Sequence, residues 1–309
     1  MKGFVAPTDF GWYQFLRQRP AFDEVNFWRP GAGRFAALTP GELFFFKLKS
    51  PQNAIGGFGQ FARFMRVPIW QAWDLFGQAN GTADVNELMT RLGRLSARTD
   101  TPTRLDRIIG CVAVAFPVFF SPDAWVPVPS DWSRNIVSGR TYDLTEGEGR
   151  RLLDACFERA VESPSFPEWE EAFEAQRSGK PQIIQPRLGQ ASFRHAVFEA
   201  YENACAVTTE HSLPALEAAH IKPWSSGGGH EVRNGLPLRR DLHHLFDLGF
   251  VTVRPDHTFA VSPQLHDTYA NGRTYYALAG RQIQLPADPA DRPAPEFLEW
   301  HSEEMFRAD

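Results

Sequence analysis

Short apolar runs separated by turn signals fill the first 140 residues and predict strands. Residues 42–50 (ELFFFKLKS) form an aromatic-rich run that follows a Thr-Pro-Gly turn signal at 39–41. Residues 55–65 are its predicted partner, and their glycines permit a bulge or a close backbone approach. A third, buried strand is predicted over 107–120. These runs predict a small closed or strongly curved β-structure flanked by helices.

Helical periodicity appears between the second and third of these strands. Trp70, Trp73 and Phe76 recur at three-residue spacing, which predicts a helix that a following glycine ends. Residues 83–95 continue as an amphipathic helix. Aromatic residues are frequent throughout, with 26 Phe and 9 Trp in the chain, and aromatics beyond the needs of a core often line pockets.

The chain changes character near residue 190. Residues 191–208 predict a helix, and 216–224 predict a short strand that enters a glycine-rich loop. Residues 236–250 predict a short helix, and 250–262 predict a β-hairpin. The fold class expected for the whole chain is therefore α+β.

A connector joins the two halves. Residues 147–163 predict a helix with one apolar stripe, and a polar, strongly acidic stretch follows it. We therefore expect an N-terminal domain over 1–140, a helical acidic linker over 141–185 and a C-terminal domain over 186–309.

Composition narrows the class of protein. With 309 residues, 43% hydrophobic and 22% charged, the chain is ordinary globular protein, which excludes disorder, collagen and coiled coil. No apolar run approaches the roughly 20 residues that span a bilayer, and no secretory signal pattern opens the chain. Three distant cysteines argue against a disulfide framework. We expect a cytoplasmic protein without membrane association.

The net charge of −5 conceals an asymmetry. Residues 1–140 carry 16 Lys and Arg against 11 Asp and Glu, whereas residues 141–180 carry 5 against 10. A moderately basic N-terminal half permits contact with a polyanion without establishing it.

A histidine cluster carries the strongest chemical signal. Five of the nine histidines lie between residues 211 and 244. Within this cluster, Asn234 follows His220 by fourteen positions, His243 follows nine later and Asp247 four after that. His243 and Asp247 are i and i+4 on a predicted helix, so both side chains leave one face, as two ligands of one metal ion do.

The segments AAHIKPW and NGLPLRRDLHHLFD resemble the HNH, or ββα-metal, endonuclease motif of bacterial restriction proteins, over roughly residues 193–262. The resemblance implies that His220 is the general base, that Asn234 braces the loop carrying it, and that His243 is a metal ligand. Some members add a ligand one helical turn later, which is Asp247 here. A salt bridge from Asp247 to Arg239 or Arg240 is the alternative.

Ala219 stands where many members of this family place an acidic or histidine ligand. The metal site is therefore expected to hold two protein ligands and more water. One imidazole and one carboxylate suit one divalent ion, either Mg²⁺, Mn²⁺ or Ni²⁺. Paired CxxC knuckles are missing from the sequence, so no structural zinc is predicted.

The N-terminal half is similar to the domain fused to HNH nucleases in modification-dependent restriction systems, through segments such as VAPTDFGWYQFL and EVNFWRPG. That domain is similar to the PUA superfamily (EVE, ASCH and SRA-like), which implies a pseudo-barrel whose pocket receives a flipped modified base. The alternative is that its aromatics are core. The candidate pocket residues are Asp9, Asn26, Trp28, Phe58 and Trp73.

Basic side chains in both halves are candidates for contacts with DNA phosphates, with a solvated surface as the alternative. They are Lys47, Lys49, Arg63, Arg66, Arg239 and Arg240. His244 points about 100° away from His243 around the helix. It is a phosphate contact, a support for the metal site or a packing residue.

The resulting hypothesis is a modification-dependent DNA endonuclease that reads 5-methyl- or 5-hydroxymethylcytosine in double-stranded DNA and hydrolyses phosphodiesters with one divalent metal ion. The alternatives are an HNH DNase without modification dependence and a nucleic-acid binding protein with an inactive HNH domain. Since one HNH site cuts one strand, a double-strand break requires two protomers or two visits, and a homodimer is one solution.

Overall fold

Two phenylalanine-rich strands, over residues 43–48 and 54–68, lie at the centre of a mixed sheet. The computed structural model describes residues 1–19, 22–95, 103–133, 135–161, 169, 189–270 and 272–308. Strand β3 (Leu43–Leu48) is buried at every position. Its side chains alternate between two cores, with Phe44 and Phe46 in one and Leu43 and Phe45 in the other. Both faces of the sheet are covered, which explains why this strand is apolar throughout.

The sheet is an open path of strands. Its order is β2-β5-β4-β3-β1-β7, with β6 paired to β4, and only the β1–β3 pair is parallel. The remaining strands are β1 (Lys2–Thr8), β2 (Glu24–Arg29), β4 (Ala54–Pro68), β5 (Ile108–Phe119), β6 (Val126–Pro127) and β7 (Arg140–Asp143). The three strands predicted from the sequence correspond to β3, β4 and β5.

Of the two expectations for this half, a closed or a strongly curved β-structure, the closed barrel is not formed by the described residues. The pairing of β4 with β5 shifts register between Phe58 and Gln60 and between Phe61 and Arg63, in the strand whose glycines permitted a bulge. However, the two end strands, β2 and β7, do not pair with each other within the described ranges. The observed class is mixed α+β with an open sheet.

Four helices cover the two faces of this sheet. α1 (Phe10–Arg17), α2 (Ile69–Phe76) and α3 (Val85–Leu95) contribute to the first core, and α4 (Gly147–Ala160) contributes to the second. α2 has the extent that its aromatic spacing predicts, since it ends at Gly77, whose φ is +48°. α4 falls in the predicted connector, yet it buries an apolar face against the sheet. The acidic stretch after it and the expected boundary at 185 lie outside the described residues, apart from Trp169.

All three thiols of the chain are buried. Cys111, Cys156 and Cys205 are each 0% exposed. Cys111 Sγ also accepts a hydrogen bond from the Asn26 amide at 3.2 Å, and burial raises the pKa of this thiol to about 12. None of them is paired in a disulfide, as their spacing in the sequence indicated.

The chain divides into two compact units, residues 1–191 and 192–309. α5 (Gln190–Ala200) begins at this division. The second unit then contains two hairpins and several short helices, namely β8 (Leu216–His220), β9 (Gly235–Arg239), α6 (Arg240–Asp247), β10 (Val251–Val253), β11 (Phe259–Val261), α7 (Gln264–Tyr269), α8 (Arg273–Tyr276) and α9 (Pro295–Trp300).

One predicted element of the second unit differs from the structure. The helix expected over 236–250 is a strand up to Arg239 and a helix only from Arg240. Residues 235–239 pair antiparallel with β8 along its whole length, and Leu236 and Leu238 are fully buried in this hairpin. Hairpin pairing has overridden the local helical pattern.

Among the described residues, no helix is both long enough and apolar enough to cross a membrane.

Candidate active site

The histidine cluster lies on a strand–strand–helix unit. β8 ends at His220, whose register partner in β9 is Gly235, and α6 follows β9 without a linker. α6 packs against this hairpin, because Glu217 of β8 contacts both Arg240 and His243 of the helix. Residues 217–220 therefore lie close to residues 240–247.

His220 is partly buried and held in place by two rings. Its imidazole stacks on Phe193 with ring centroids 4.0 Å apart and an interplanar angle of 14°. Its Nε2 lies 3.0 Å from Nδ1 of His230. Burial, followed by the charges of His230 and His243, lowers the pKa of His220 to about 4. The ring is therefore neutral at pH 7 and has a lone pair with which it can accept a proton.

Asn234 fixes the loop between the two strands. The side chain is fully buried, and its amide nitrogen donates to the carbonyl oxygens of Lys222 at 2.9 Å and Gly229 at 2.8 Å. Its Oδ1 accepts the Lys222 N–H at 2.9 Å. Gly228 completes the loop, because a Cβ there would lie 1.8 Å from the Lys222 carbonyl oxygen. This geometry is what a residue that braces the loop requires.

His243 lies between two carboxylates. Its Nδ1 is 2.7 Å from Glu217 Oε2, and its Nε2 is 3.4 Å from Asp247 Oδ2. Since a carboxylate only accepts hydrogen bonds, the short contact places a proton on Nδ1 and leaves the lone pair of Nε2 on the Asp247 side. Partial desolvation raises the pKa of Asp247, and the charges of His243 and His244 oppose this rise.

The Asp247 side of His243 has the donor set of a small cation site. An imidazole nitrogen and a carboxylate oxygen 3.4 Å apart fit two ligand bonds of roughly 2 Å to one ion. A carboxylate on the far nitrogen of a ligating histidine is the usual support of such a ligand. No set of three or more His, Cys, Asp or Glu side chains with metal-site geometry occurs among the described residues. His243 and Asp247 by themselves supply one nitrogen and one oxygen donor to such an ion.

The basic residues of this region are partly engaged. Arg239 forms a two-pronged ion pair with Asp241, and Arg240 Nε is 3.3 Å from Glu217 Oε1. The histidine contact of the Asp247 carboxylate is with His243 Nε2, at 3.4 Å from Oδ2. His244 is exposed on α6.

Comparison with known proteins identifies this region. Residues 205–254 match a family model described as HNH endonuclease. They form an HNH endonuclease domain. The chain is therefore an enzyme of the nuclease class, and His220, Asn234, His243 and Asp247 all lie inside the matched part of the HNH domain.

Comparisons over the whole chain add little. No curated protein matches it. Among solved structures, a modification-dependent TagI restriction endonuclease aligns with a TM-score of 0.34 and 12% identity, over 99% of this chain and 82% of the other. Similarity at that level is no basis for assigning a fold or a substrate.

Two residues of the HNH domain site escaped the sequence reasoning. Glu217 contacts His243 only because β8 packs against α6, and 26 residues separate the two in the chain. His230 reaches His220 only because the loop between β8 and β9 folds back. The sequence held no signal for Glu217, because residues three apart on a strand point to opposite faces, and His230 offered none except membership of the cluster.

The residues predicted to read a base are divided between a cavity and the core. Asp9 and Trp28 line a cavity of about 490 Å³ in the first unit, together with Trp12, Phe27 and Lys49. Its lining is completed by Pro7, Arg29, Pro30, Gly31, Gly33, Leu95, Val137 and Ser138. A neighbouring cavity of about 220 Å³ shares Phe27, Arg29 and Ser138 with it.

Three of the predicted pocket residues lie elsewhere. Phe58 is fully buried in the second core, where its ring contacts Phe45, Phe157 and Trp169, so it cannot stack on a base. Asn26 is also fully buried, and its amide nitrogen donates to Asn80 and Cys111. Trp73 packs against the first core without lining either cavity. These three residues therefore follow the alternative stated from the sequence, that they belong to or pack against a core.

One predicted phosphate contact is also corrected. Lys47 is only 7% exposed, and its Nζ donates to Asn53 Oδ1 at 3.0 Å beside the ring of Trp132. Burial lowers the pKa of this lysine. Lys49, two residues later, is exposed at the rim of the large cavity. On β4, Arg66 is exposed and Arg63 is half-buried.

Proposed function

We propose that the chain is a metal-dependent DNA endonuclease that hydrolyses phosphodiester bonds at the site around His220 and His243. The observation that carries this proposal is a neutral imidazole beside a separate imidazole–carboxylate pair on one strand–strand–helix unit. Phosphodiester hydrolysis needs both parts, since a base must take a proton from water and a cation must balance charge on the phosphate.

His220 is the base in this proposal. It takes a proton from the water whose oxygen attacks phosphorus, while the bond from phosphorus to the leaving oxygen breaks. Because its pKa is about 4, the ring is in the reactive neutral form in nearly every molecule at pH 7. Asn234 holds the loop that begins two residues after this histidine, and so limits the movement of the ring.

His243 and Asp247 would hold the divalent ion, through Nε2 and Oδ2. When bound, Mg²⁺, Mn²⁺ or Ni²⁺ supplies positive charge to the phosphate and the leaving oxygen. Glu217 keeps the proton of His243 on Nδ1 and the ring turned toward Asp247. The exposed His244 and the outer part of Arg240 are the nearest groups on α6 for contacts with the DNA backbone.

The first unit is the reader of modified cytosine in double-stranded DNA, either 5-methyl or 5-hydroxymethyl. Its 490 Å³ cavity supports this role, because a flipped base needs rings to stack on and polar groups for its edge. Trp28 belongs to the first core at 9% exposure and also lines this cavity, and its Nε1 donates to the Asn80 carbonyl at 2.9 Å. Asp9 and Lys49 supply a carboxylate and an ammonium group.

The test is digestion of matched plasmid DNAs with unmodified, 5-methyl- or 5-hydroxymethylcytosine by the full chain, at fixed salt, with each of the three metals. Cleavage of modified DNA alone, dependent on metal and lost in His220→Ala, is expected. Equal cleavage of all three DNAs would leave an HNH DNase and overturn the reader. Binding without cleavage under every metal would overturn the nuclease proposal. Linear product without a nicked intermediate would indicate two protomers acting together.

A further inference from the structure

Two imidazoles of the HNH domain, those of His220 and His230, meet through their ring nitrogens with their planes tilted by 58°. Nδ1 of His230 lies 3.0 Å from Nε2 of His220, which is hydrogen-bond distance. His230 stacks on Trp224, with centroids 5.1 Å apart and an interplanar angle of 17°, while His220 stacks on Phe193. The stacking on both sides restricts rotation of either ring, so the contact between the two nitrogens is a fixed feature of the site.

The proton in this contact determines whether His220 can act as a base. Two neutral imidazoles share one proton in such a bond. If Nδ1 of His230 donates, Nε2 of His220 accepts, and His220 carries its own proton on Nδ1 with no nitrogen left for water. If Nε2–H of His220 donates, its Nδ1 keeps a lone pair. Only the second arrangement permits proton removal from water.

We propose that His230 is a positioning residue that accepts the Nε2–H of His220 and thereby makes Nδ1 of His220 the basic nitrogen. This inference rests on the proposed role of His220 and adds the partner of that base. When His220 takes a proton on Nδ1 it becomes a cation, and its bond to His230 becomes charge-assisted, roughly twice as strong as a neutral one. The proton stays on Nδ1 until water removes it, and His230 gains and loses nothing.

Asn234 sets the spacing between the two imidazoles. Its amide nitrogen donates to the carbonyl of Lys222, two residues after His220, and to the carbonyl of Gly229, one residue before His230. One buried side chain therefore fixes the backbone next to both histidines. The asparagine and His230 act on the same base, the former through the backbone and the latter through the ring nitrogen.

Two substitutions separate the hydrogen bond from the ring packing. His230→Asn keeps an acceptor near the position of Nδ1 but has no ring. His230→Phe keeps a ring on Trp224 but has no acceptor. At saturating metal, His230→Phe should lower the single-turnover cleavage rate by about 100-fold or more, because general-base catalysis contributes about 10²–10⁴. His230→Asn should lose less than about tenfold, and DNA affinity should change by less than about twofold in both.

The opposite order, or equal losses in the two variants, would overturn the inference in favour of a packing role. Ring ¹⁵N NMR of the wild-type full chain gives a second readout that does not depend on the folding of a variant. The signals of His220, assigned by their loss in His220→Ala, should show the proton on Nε2. A proton on Nδ1 would overturn the inference.

The two proposals fail in different ways. A wild-type chain that cleaves no DNA with any metal contradicts the proposed function. A wild-type chain that cleaves, with an inactive His220→Ala and a fully active His230→Phe, contradicts only the role of His230.

Discussion

The carboxylate of Glu217 accepts a hydrogen bond from the ring of His243, with Oε2 2.7 Å from Nδ1. Its other oxygen receives Arg240 Nε at 3.3 Å. Glu217 therefore links the strand that carries His220 to the helix that carries His243. It also determines which nitrogen of His243 is available to a cation.

Substitution of Glu217 should weaken metal binding. Loss of a carboxylate behind a ligating histidine typically costs 10–100-fold in metal affinity, and we expect this for Glu217→Ala with Mn²⁺ in isothermal titration. Glu217→Gln should fall between this variant and wild type, since an amide oxygen still accepts from Nδ1–H but carries no charge. Glu304→Gln, at an exposed position of the same unit, is the control. Wild-type affinity in Glu217→Ala would show that the contact does not support a ligand.

The pH dependence of cleavage should follow the low pKa of His220. Because the free protein binds a proton to this ring only near pH 4, kcat/KM at saturating metal should rise with pH through about 4 and then stay level across neutral pH. His220→Ala should lower the cleavage rate by about 10²–10⁴ while DNA binding persists. An inflection at the ordinary histidine value would contradict the assignment of His220 as the base.

Asn234→Ala should loosen the loop between β8 and β9. The substitution leaves the Lys222 N–H and two carbonyls without their partner, and a buried unsatisfied group costs about 1–3 kcal/mol. Limited proteolysis should then cut the chain between residues 222 and 234. Asn234→Asp is the matched variant, since it keeps an acceptor for Lys222 N–H but presents carboxylate oxygens to two carbonyls. Equal protease resistance in all three proteins would show that the loop does not depend on Asn234.

Two neighbouring lysines should respond differently in DNA binding. Lys49→Ala should lower affinity for modified and plain duplexes alike and reduce the salt dependence, as loss of a phosphate contact does. Lys47→Met should leave the salt dependence unchanged, because this side chain is buried against Asn53 and Trp132. A flattened salt dependence in Lys47→Met would show that the buried lysine reaches DNA.

Stability of the second unit should fall in acid through His301. This ring is 2% exposed, stacked on Phe246 at 3.6 Å and hydrogen-bonded to Thr252, and burial lowers its pKa to about 4. The unfolded chain binds the proton at about pH 6.5, so stability is fully present above that pH and is lost as pH falls toward 4, by at most about 1.4 kcal/mol per pH unit.

Urea unfolding of the full chain at a series of pH values checks this expectation. His301→Phe removes one of two such rings, because the pKa of His220 is also lowered to about 4, and should reduce the slope of the curve between about pH 4 and 6.5. His211→Asn, at an exposed position, should not. If the free energy of unfolding depended on pH equally in all three proteins, its loss in acid would be assigned to other titrating groups.

Local spacing was enough to predict one geometric relation within the candidate site. His243 and Asp247 were placed on one helix face by their i, i+4 relation, and their side chains lie 3.4 Å apart. This relation depends only on helix geometry, so it survives although the helix begins four residues later than predicted. The loop contacts of Asn234 also occur where the family resemblance implied a brace.

Contacts that arise from the packing of separate elements could not be predicted from the sequence. Glu217 meets His243 through the docking of a strand on a helix, and no periodicity within either element encodes this contact. In the first unit, Phe58 and Trp28 looked alike as aromatic candidates, but one faces the second core and the other lines a cavity. Because both faces of the sheet are covered, alternation along a strand could not separate them. The same coverage buries Lys47.

The burial of every native thiol has a practical consequence for following ligands in solution. A maleimide dye needs an exposed thiolate, and the chain has none at Cys111, Cys156 or Cys205. Ser138 is exposed and lines both cavities of the first unit. A Ser138→Cys chain would therefore carry a single labelled position beside the cavities, with all three native cysteines retained. Fluorescence of that dye can report in real time whether a ligand enters the cavities, in a protein whose cores are untouched.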